Sequence, residues 1–168
     1  MDSSIQVYYG PGRGKTTAAL GLGIRAAAAG KQVIMVQFLK GKSSDTLDYL
    51  KKLEPELQIF RFERAGSLFS KLSPEKQKEE LANIQNALSY TRKVLDTGQC
   101  DVLILDEIMG LIDYGIITAQ NLRDLMDFRE YPMDIIMTGR NMPDELMDVA
   151  DCVYRISVEK EGTREILE

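Results

Sequence analysis

The chain has 168 residues, 44% hydrophobic and 28% charged, with a formal net charge of −5. That is the composition of one globular domain over residues 1–168, large enough to bury a core without disulfide or metal staples. The acidic balance argues against a nucleic-acid binder, no apolar run reaches membrane-spanning length, and the lack of any histidine excludes His-based triads, His general bases and most zinc-site designs. Cys100 and Cys152 stand far apart, outside any metal-ligand spacing, and read as buried free thiols. Met-Asp-Ser-Ser at the N-terminus has neither the basic region nor the apolar stretch of a signal peptide, so a reducing, cytoplasmic setting is expected.

In chain order, Ile5 to Tyr9 is a short apolar run expected to form a buried strand that ends in a glycine-rich turn. An Ala-rich helix is predicted from Lys15 to Ala29, stopped by Gly30, with Gly21 and Gly23 permitting close packing on a sheet. Val33 to Phe38 is a second apolar strand. Strand, glycine loop, helix and strand make a βαβ unit and imply parallel pairing. A polar loop from Lys40 to Asp45, a short helix around Thr46 to Leu53 and a strand near Gln58 to Phe62 follow. Ser73-Pro74 opens a long helix that closes at Gly98, with Leu81, Ile84, Leu88, Thr91 and Leu95 on its inward face.

Val102 to Leu105 reads as a buried strand, Thr118 to Phe128 as a helix, Asp134 to Thr138 as a strand, Pro143 to Val149 as a short helix and Cys152 to Ser157 as the last strand. Val158 to Glu168 leaves a hairpin and a loose tail equally open. The alternation predicts an α/β domain of three layers, with helices on both faces of a mainly parallel central sheet.

Two stretches carry chemistry. Tyr8 to Thr17 reads Y-Y-G-P-G-R-G-K-T-T, a phosphate-binding loop between an apolar strand and a helix, which is the context that motif requires. Glycines let backbone N–H groups curl round phosphate oxygens, and the helix N-terminus adds a favourable dipole. Gly10, Pro11, Gly12, Arg13, Gly14, Lys15, Thr16 and Thr17 are the candidate nucleotide contacts, with Lys15 neutralising phosphate and the Thr16 hydroxyl a ligand for Mg²⁺. The loop is one residue shorter than G-x-x-x-x-G-K-[ST], because Tyr9 stands where the leading glycine belongs. The second stretch, Leu103-Ile-Leu-Asp106-Glu107, delivers two carboxylates to the C-terminal edge of the sheet, where a P-loop protein holds its metal. Thr138-Gly139-Arg140 emerges at the same edge. Arg140, Gln37 and Lys40 are placed to reach a terminal phosphate.

The stretches G-P-G-R-G-K-T-T-A-A-L-G-L-G-I-R-A, V-I-M-V-Q-F-L-K-G, D-V-L-I-L-D-E-I and T-G-R-N-M-P-D-E-L-M-D-V-A-D resemble the P-loop ATP:corrinoid adenosyltransferases, over about Gln6 to Ile156. The family's loop is the same short form. The resemblance implies a P-loop NTPase fold of the RecA-like kind and an unusual use of ATP. The nucleotide lies reversed along the loop, Co(I) of a corrinoid attacks the ribose 5′-carbon, and triphosphate leaves intact. It implies Lys15 and Glu107 in catalysis, Mg²⁺ on Thr16 and Glu107 with Asp106 in support, and Phe69 against the corrinoid. It also implies a homodimer and an electron-donating flavoprotein or other Co(II) reductase as partner. The chain departs from the family near Gly66, where Ser67, Leu68 and Phe69 keep one of two aromatics. It departs too in a short segment before the first strand and in the tail V-E-K-E-G-T-R-E-I-L-E. ATPase or kinase-type phosphoryl transfer, and a non-catalytic nucleotide- or corrinoid-binding role, are the alternatives. A thymidine-kinase-like enzyme would need a four-cysteine zinc ribbon that two cysteines cannot build.

Overall fold

The computed structural model describes residues 3–40 and 45–162. Six strands form one sheet: β1 (Ile5–Tyr9), β2 (Val33–Gln37), β3 (Leu57–Arg61), β4 (Val102–Asp106), β5 (Asp134–Gly139) and β6 (Cys152–Arg155). Their spatial order is β3-β2-β4-β5-β1-β6, and every pairing is parallel. Helices are α1 (Lys15–Ala28), α2 (Asp45–Leu50), α3 (Pro74–Thr97), α4 (Gly110–Asp113) and α5 (Ala119–Met126).

The sheet is buried on both faces, as an all-parallel sheet must be, and its side chains alternate between two cores. Val33 and Met35 of β2, Val102 and Ile104 of β4 and Ile136 of β5 meet α1 through Ala19. Ile34, Val36, Leu103, Leu105, Ile135 and Met137 point the other way, into a core closed by Ile84, Val94 and Leu95 of α3 and Leu122 of α5. This is the predicted three-layer arrangement.

Local signals set the helix ends. Ser73 Oγ accepts from the Lys76 amide at 3.4 Å, Pro74 opens α3, and Gly98 ends it in the left-handed region at φ 61°. Thr118 and Asn121 cap α5 reciprocally: the Thr118 hydroxyl accepts from the Asn121 amide at 3.0 Å, and Asn121 Oδ1 accepts from the Thr118 amide at 2.9 Å. Gly23 lies against the sheet as expected, where a methyl group would come within 2.8 Å of Ile104 Cδ1.

Several expectations need correction. Gly21 does not press on the sheet, since a Cβ there would meet nothing within 4 Å and the buried face of α1 runs through Ala19 and Gly23. On α3 the inward face runs Glu80, Ile84, Ala87, Thr91, Val94 and Leu95, and Leu81 is exposed. The predicted helix from Pro143 to Val149 shrinks to a 3-10 turn at Asp144–Leu146, and the short α4 was not anticipated. Residues 158–162 contain no strand. The rest of the tail, and the loop at 41–44, lie outside the described residues.

The thiols differ. Burial pushes Cys100 up to about 12, whereas Cys152 on the edge strand β6 is only half-buried. A disulfide-forming thiol reagent at pH 8 is therefore expected to label Cys152 in the native protein and Cys100 only on unfolding, because the thiolate is the reactive form. Equal native labelling rates, read by mass spectrometry, would contradict this burial.

Candidate functional site

The parallel register brings the C-terminal ends of all six strands to one edge. Arg61 stands beside Gln37, Gln37 beside Asp106, Tyr9 beside Gly139 and Arg155 beside Tyr9. Strand β5 separates β4 from β1, so the residue between the glycine loop and Asp106 is Thr138.

The loop between β1 and α1 is held from behind. The Gly10 amide donates to the Arg140 carbonyl at 3.0 Å, the Gly12 amide donates to the Ile156 carbonyl at 3.0 Å, and the Ile156 amide donates to the Tyr9 carbonyl at 2.7 Å. Gly10 has φ 126°, and a Cβ there would sit 2.2 Å from the Ile156 carbonyl oxygen. Only glycine fits this crossing of loop and tail. Lys15 opens α1 and curls back over the loop, its Nζ donating to the carbonyls of Gly10 at 2.9 Å and Gly12 at 2.7 Å. Pro11, Arg13, Gly14 and Thr17 are exposed, and the first N–H groups of α1 have no intrahelical carbonyl to bond.

Asp106 is the centre of the polar network. Its carboxylate is fully buried, a costly state for a charge unless donors surround it. Four side chains converge on it. The Thr16 hydroxyl donates at 2.9 Å to Oδ1, and the Thr138 hydroxyl at 2.7 Å to the same oxygen. Gln37 Nε2 donates at 3.0 Å and Lys40 Nζ at 2.5 Å to Oδ2. The Thr16 hydroxyl also accepts from Lys40 at 2.7 Å, and the Thr138 hydroxyl accepts from the Glu107 amide at 2.7 Å. Arg61 Nε donates to Gln37 Oε1 at 2.7 Å, fixing the orientation of that amide.

Glu107 has φ 62°, an unusual backbone state for a residue with a side chain. The Thr138 hydroxyl on its amide helps hold it there. Burial, then the charge of Asp106, raises its carboxyl above the ordinary range, against the pull of Lys40 and Lys15. Leu39, also in the left-handed region at φ 58°, donates its amide to the buried Glu63 carboxylate at 2.8 Å. That bond fixes the backbone one residue before Lys40.

The structure therefore brings Thr16, Lys40, Asp106, Glu107 and Thr138 together, with Lys15 on the neighbouring loop. Arg140 lends its carbonyl to Gly10 while its side chain is exposed. Phe69 does not face the site openly: it is half-buried, with its ring edge-on to Tyr114 at 5.6 Å between centroids. The exposed apolar residue of that loop is Leu68, which with Leu39, Lys40, Arg61, Gly66 and Lys71 lines an open cavity of about 500 Å³. Sequence reasoning singled out Arg140 from Thr138-Gly139-Arg140, yet the threonine is the member joined to the site. Arg61 and Lys71 were missed, although both flank the loop already in view.

The residues fit Mg²⁺. Among the described residues no group of three His, Cys, Asp or Glu side chains is placed to hold a metal ion by itself. Mg²⁺, however, is held by one or two carboxylates, a hydroxyl and substrate phosphates, and Thr16, Asp106 and Glu107 supply that set. The Lys40 ammonium already sits as a cation against two of the three.

The family described as ATP:corrinoid adenosyltransferase BtuR/CobO/CobP matches residues 2–166. The chain belongs to this family. It is 28% identical to the corrinoid adenosyltransferase of Escherichia coli K12 over 152 residues, covering 90% of this chain and 75% of that one. The corrinoid adenosyltransferase CobA of Salmonella typhimurium is 29% identical over the same shares. A KaiC-like protein of Pyrococcus horikoshii OT3 superposes with a TM-score of 0.59 at 17% identity, over 96% of this chain and 75% of that protein, which establishes the α/β P-loop fold.

Two outcomes follow from the geometry. Gly10→Ala should cost on the order of 2 kcal/mol or more, from left-handed strain plus the carbonyl clash, read as a loss in chemical-denaturation stability. Glu63 Oε2 is buried with no hydrogen-bond partner among the described residues, and burial raises this carboxyl. The folded-state pKa thus exceeds the unfolded one. The stability this confers is full below the unfolded value and is lost as pH rises through the folded value. Glu63→Gln, which does not titrate, should gain on the wild type as pH rises from 4 to 8. A difference in melting temperature that stays flat or shrinks over that range contradicts the assignment.

Proposed function

We propose that this family member transfers the 5′-deoxyadenosyl group of ATP to the Co(I) of a corrinoid. The cobalt electron pair forms a Co–C bond to the ribose C5′, the C5′–O bond breaks, and triphosphate leaves with that bond's electrons. Cobalt passes formally from Co(I) to Co(III), so a flavoprotein or other reductant must supply Co(I) from Co(II). The observation that carries the reading is the convergence of a short glycine loop, Thr16 and Asp106 in a chain whose whole described length lies within this family.

The chain's own residues account for the chemistry in three ways. Co(I) is already a strong nucleophile, so a site without histidine lacks nothing. The loop from Gly10 to Thr17 and the N-terminus of α1 receive the triphosphate. Lys15, swinging from its loop carbonyls, and Arg13 and Arg140 from the rim spread the charge that grows on the leaving group. Thr16, Asp106 and Glu107 would hold Mg²⁺, with Thr138 fixing both the Asp106 carboxylate and the Glu107 backbone; bound there, the metal would supply electrostatic stabilisation of the triphosphate oxygens. The cavity lined by Leu39 and Leu68 receives the corrinoid, and the edge-on contact of Phe69 with Tyr114 supports the loop that carries Leu68. Reactant placement then provides most of the remaining acceleration. A homodimer, its partner chain helping to cover the open cavity, completes the reading.

Phosphoryl transfer is the rival, favoured by a glutamate directly after Asp106. The phosphate product separates the two. Incubation with Mg-ATP and chemically reduced corrinoid should yield intact triphosphate and a light-sensitive Co–C bond. ADP and phosphate formed without corrinoid would overturn the adenosyl-transfer reading. Lys15→Ala should weaken ATP binding in calorimetry by roughly tenfold to a hundredfold, the loss of one or two charge-assisted contacts.

A further inference from the structure

Lys40 is a bonded cation that the proposed reaction has not used. Lys40 follows β2 and reaches across the strand ends to place its Nζ 2.5 Å from Asp106 Oδ2 and 2.7 Å from Thr16 Oγ1. These are the carboxylate and the hydroxyl of the proposed metal set. The ammonium therefore already sits on two of the oxygens that would hold the metal.

Three further observations make this a built arrangement. Asp106 is fully buried, so its charge needs a cation at hand whenever the metal is away. The backbone before Lys40 is fixed in the left-handed region, with the Leu39 amide bonded to the buried Glu63. The lysine side chain is about one-third exposed and borders the open cavity, so it has room to swing aside.

We propose that Lys40 is a resident counter-cation that holds the metal position in the nucleotide-free protein, and that arrival of Mg²⁺ with the triphosphate drives it off Asp106. Two positive charges cannot share those oxygens a few ångströms apart. Displaced, the ammonium remains beside the cavity mouth, within a side chain's reach of the strand ends, where a triphosphate oxygen gives it a new partner. Two consequences follow. Free Mg²⁺ alone binds weakly, because it must first displace a bonded lysine. Mg²⁺ and triphosphate bind cooperatively, because together they repay that displacement. Lys40 is thus a positioning residue for the metal, acting through Asp106 and Thr16.

The inference rests on the Mg-nucleotide reading, and its test separates the two. Thermal melts of the wild type, Lys40→Met and Lys40→Gln are recorded in EDTA and across a Mg²⁺ series without nucleotide. Calorimetric titration of Mg-ATP follows for each. Both variants should melt below the wild type in EDTA and recover more than the wild type on adding Mg²⁺. Their Mg²⁺ midpoints should fall by roughly tenfold or more, as expected when a competing state at about 1.4 kcal/mol is removed. Lys40→Gln keeps a donor for Asp106 without the charge. Folding of a variant only in the presence of Mg²⁺ also supports the proposal. A Mg²⁺ response equal to that of the wild type overturns it, as does failure of both variants to fold with or without the metal. If the wild type binds no Mg-ATP, the functional reading itself fails. If it binds Mg-ATP and the variants keep the wild-type Mg²⁺ dependence, only the assignment of Lys40 fails.

Discussion

The buried carboxylate of Asp106 is the constraint around which the functional edge is organised. A charge with no solvent must be met by donors, and here they come from four separate segments: Thr16 from α1, Gln37 from β2, Lys40 from the loop after β2, and Thr138 from β5. Meeting that requirement fixes the strand order at the site. With β4 between β2 and β5, Gln37 and Thr138 flank Asp106 in register, and β1 lies one strand further out so that its loop reaches back over the edge through Thr16. The same bonds set the backbone of Glu107, because Thr138 donates to Asp106 and accepts from the Glu107 amide. Removing the Asp106 charge would leave several donors facing one another, not merely one missing ligand.

The buried charge lies inside an acidic chain, which makes the local sign of the site more informative than the total. The formal net charge is −5, yet the strand ends and their loops gather Arg13, Lys15, Lys40, Arg61, Lys71 and Arg140. Low-dielectric walls focus such a field on an anion. Burial acts on the cations too: it pulls the Arg61 guanidinium down from its ordinary value, and the charge of Asp106 pushes it back up. The acidic balance of the chain and its cationic edge together suit a small polyanionic ligand better than an extended nucleic acid.

How much of this was legible in the sequence depended on the range of the interaction. The glycine loop, the strands and α3 with its Ser73-Pro74 start are local patterns, and they stand close to where composition and periodicity predict them. The glycine loop and Asp106-Glu107 were also legible, since each is contiguous. What could not be read is the register across non-adjacent strands. It selects Thr138 over Arg140 as the member bonded to Asp106, and it turns Lys40 from a possible phosphate contact into the counter-charge of Asp106. Glu80 and Glu63 were invisible for a different reason. A glutamate within an amphipathic helix or beside a strand reads as solvent-facing. Here Glu80 turns inward to accept the Arg64 and Ala65 amides, at 3.1 and 3.2 Å, and so shapes the loop that leads to the cavity. Phe69 was singled out by the family resemblance alone, and its edge-on contact with Tyr114 depends on α4, a four-residue helix too short to leave a periodic signal.

The division of labour at the strand ends follows from what each reactant requires. A hydrolase must activate water, and a kinase must orient a hydroxyl; both need a base beside the γ-phosphate. The Co(I) nucleophile of the proposed reaction needs neither, so for that reaction no group has to be poised near neutral pH and a histidine-free chain is sufficient. The stabilising groups then belong on the leaving side. In the proposed reaction the loop amides, Lys15 and the Asp106–Thr16 pair would serve that side, while Leu39 and Leu68 line the cavity together with Lys40, Arg61 and Lys71. Lys40 stands at the junction, bonded to Asp106 and bordering the cavity. If the proposed displacement holds, arrival of the metal would also move a side chain that borders the cavity.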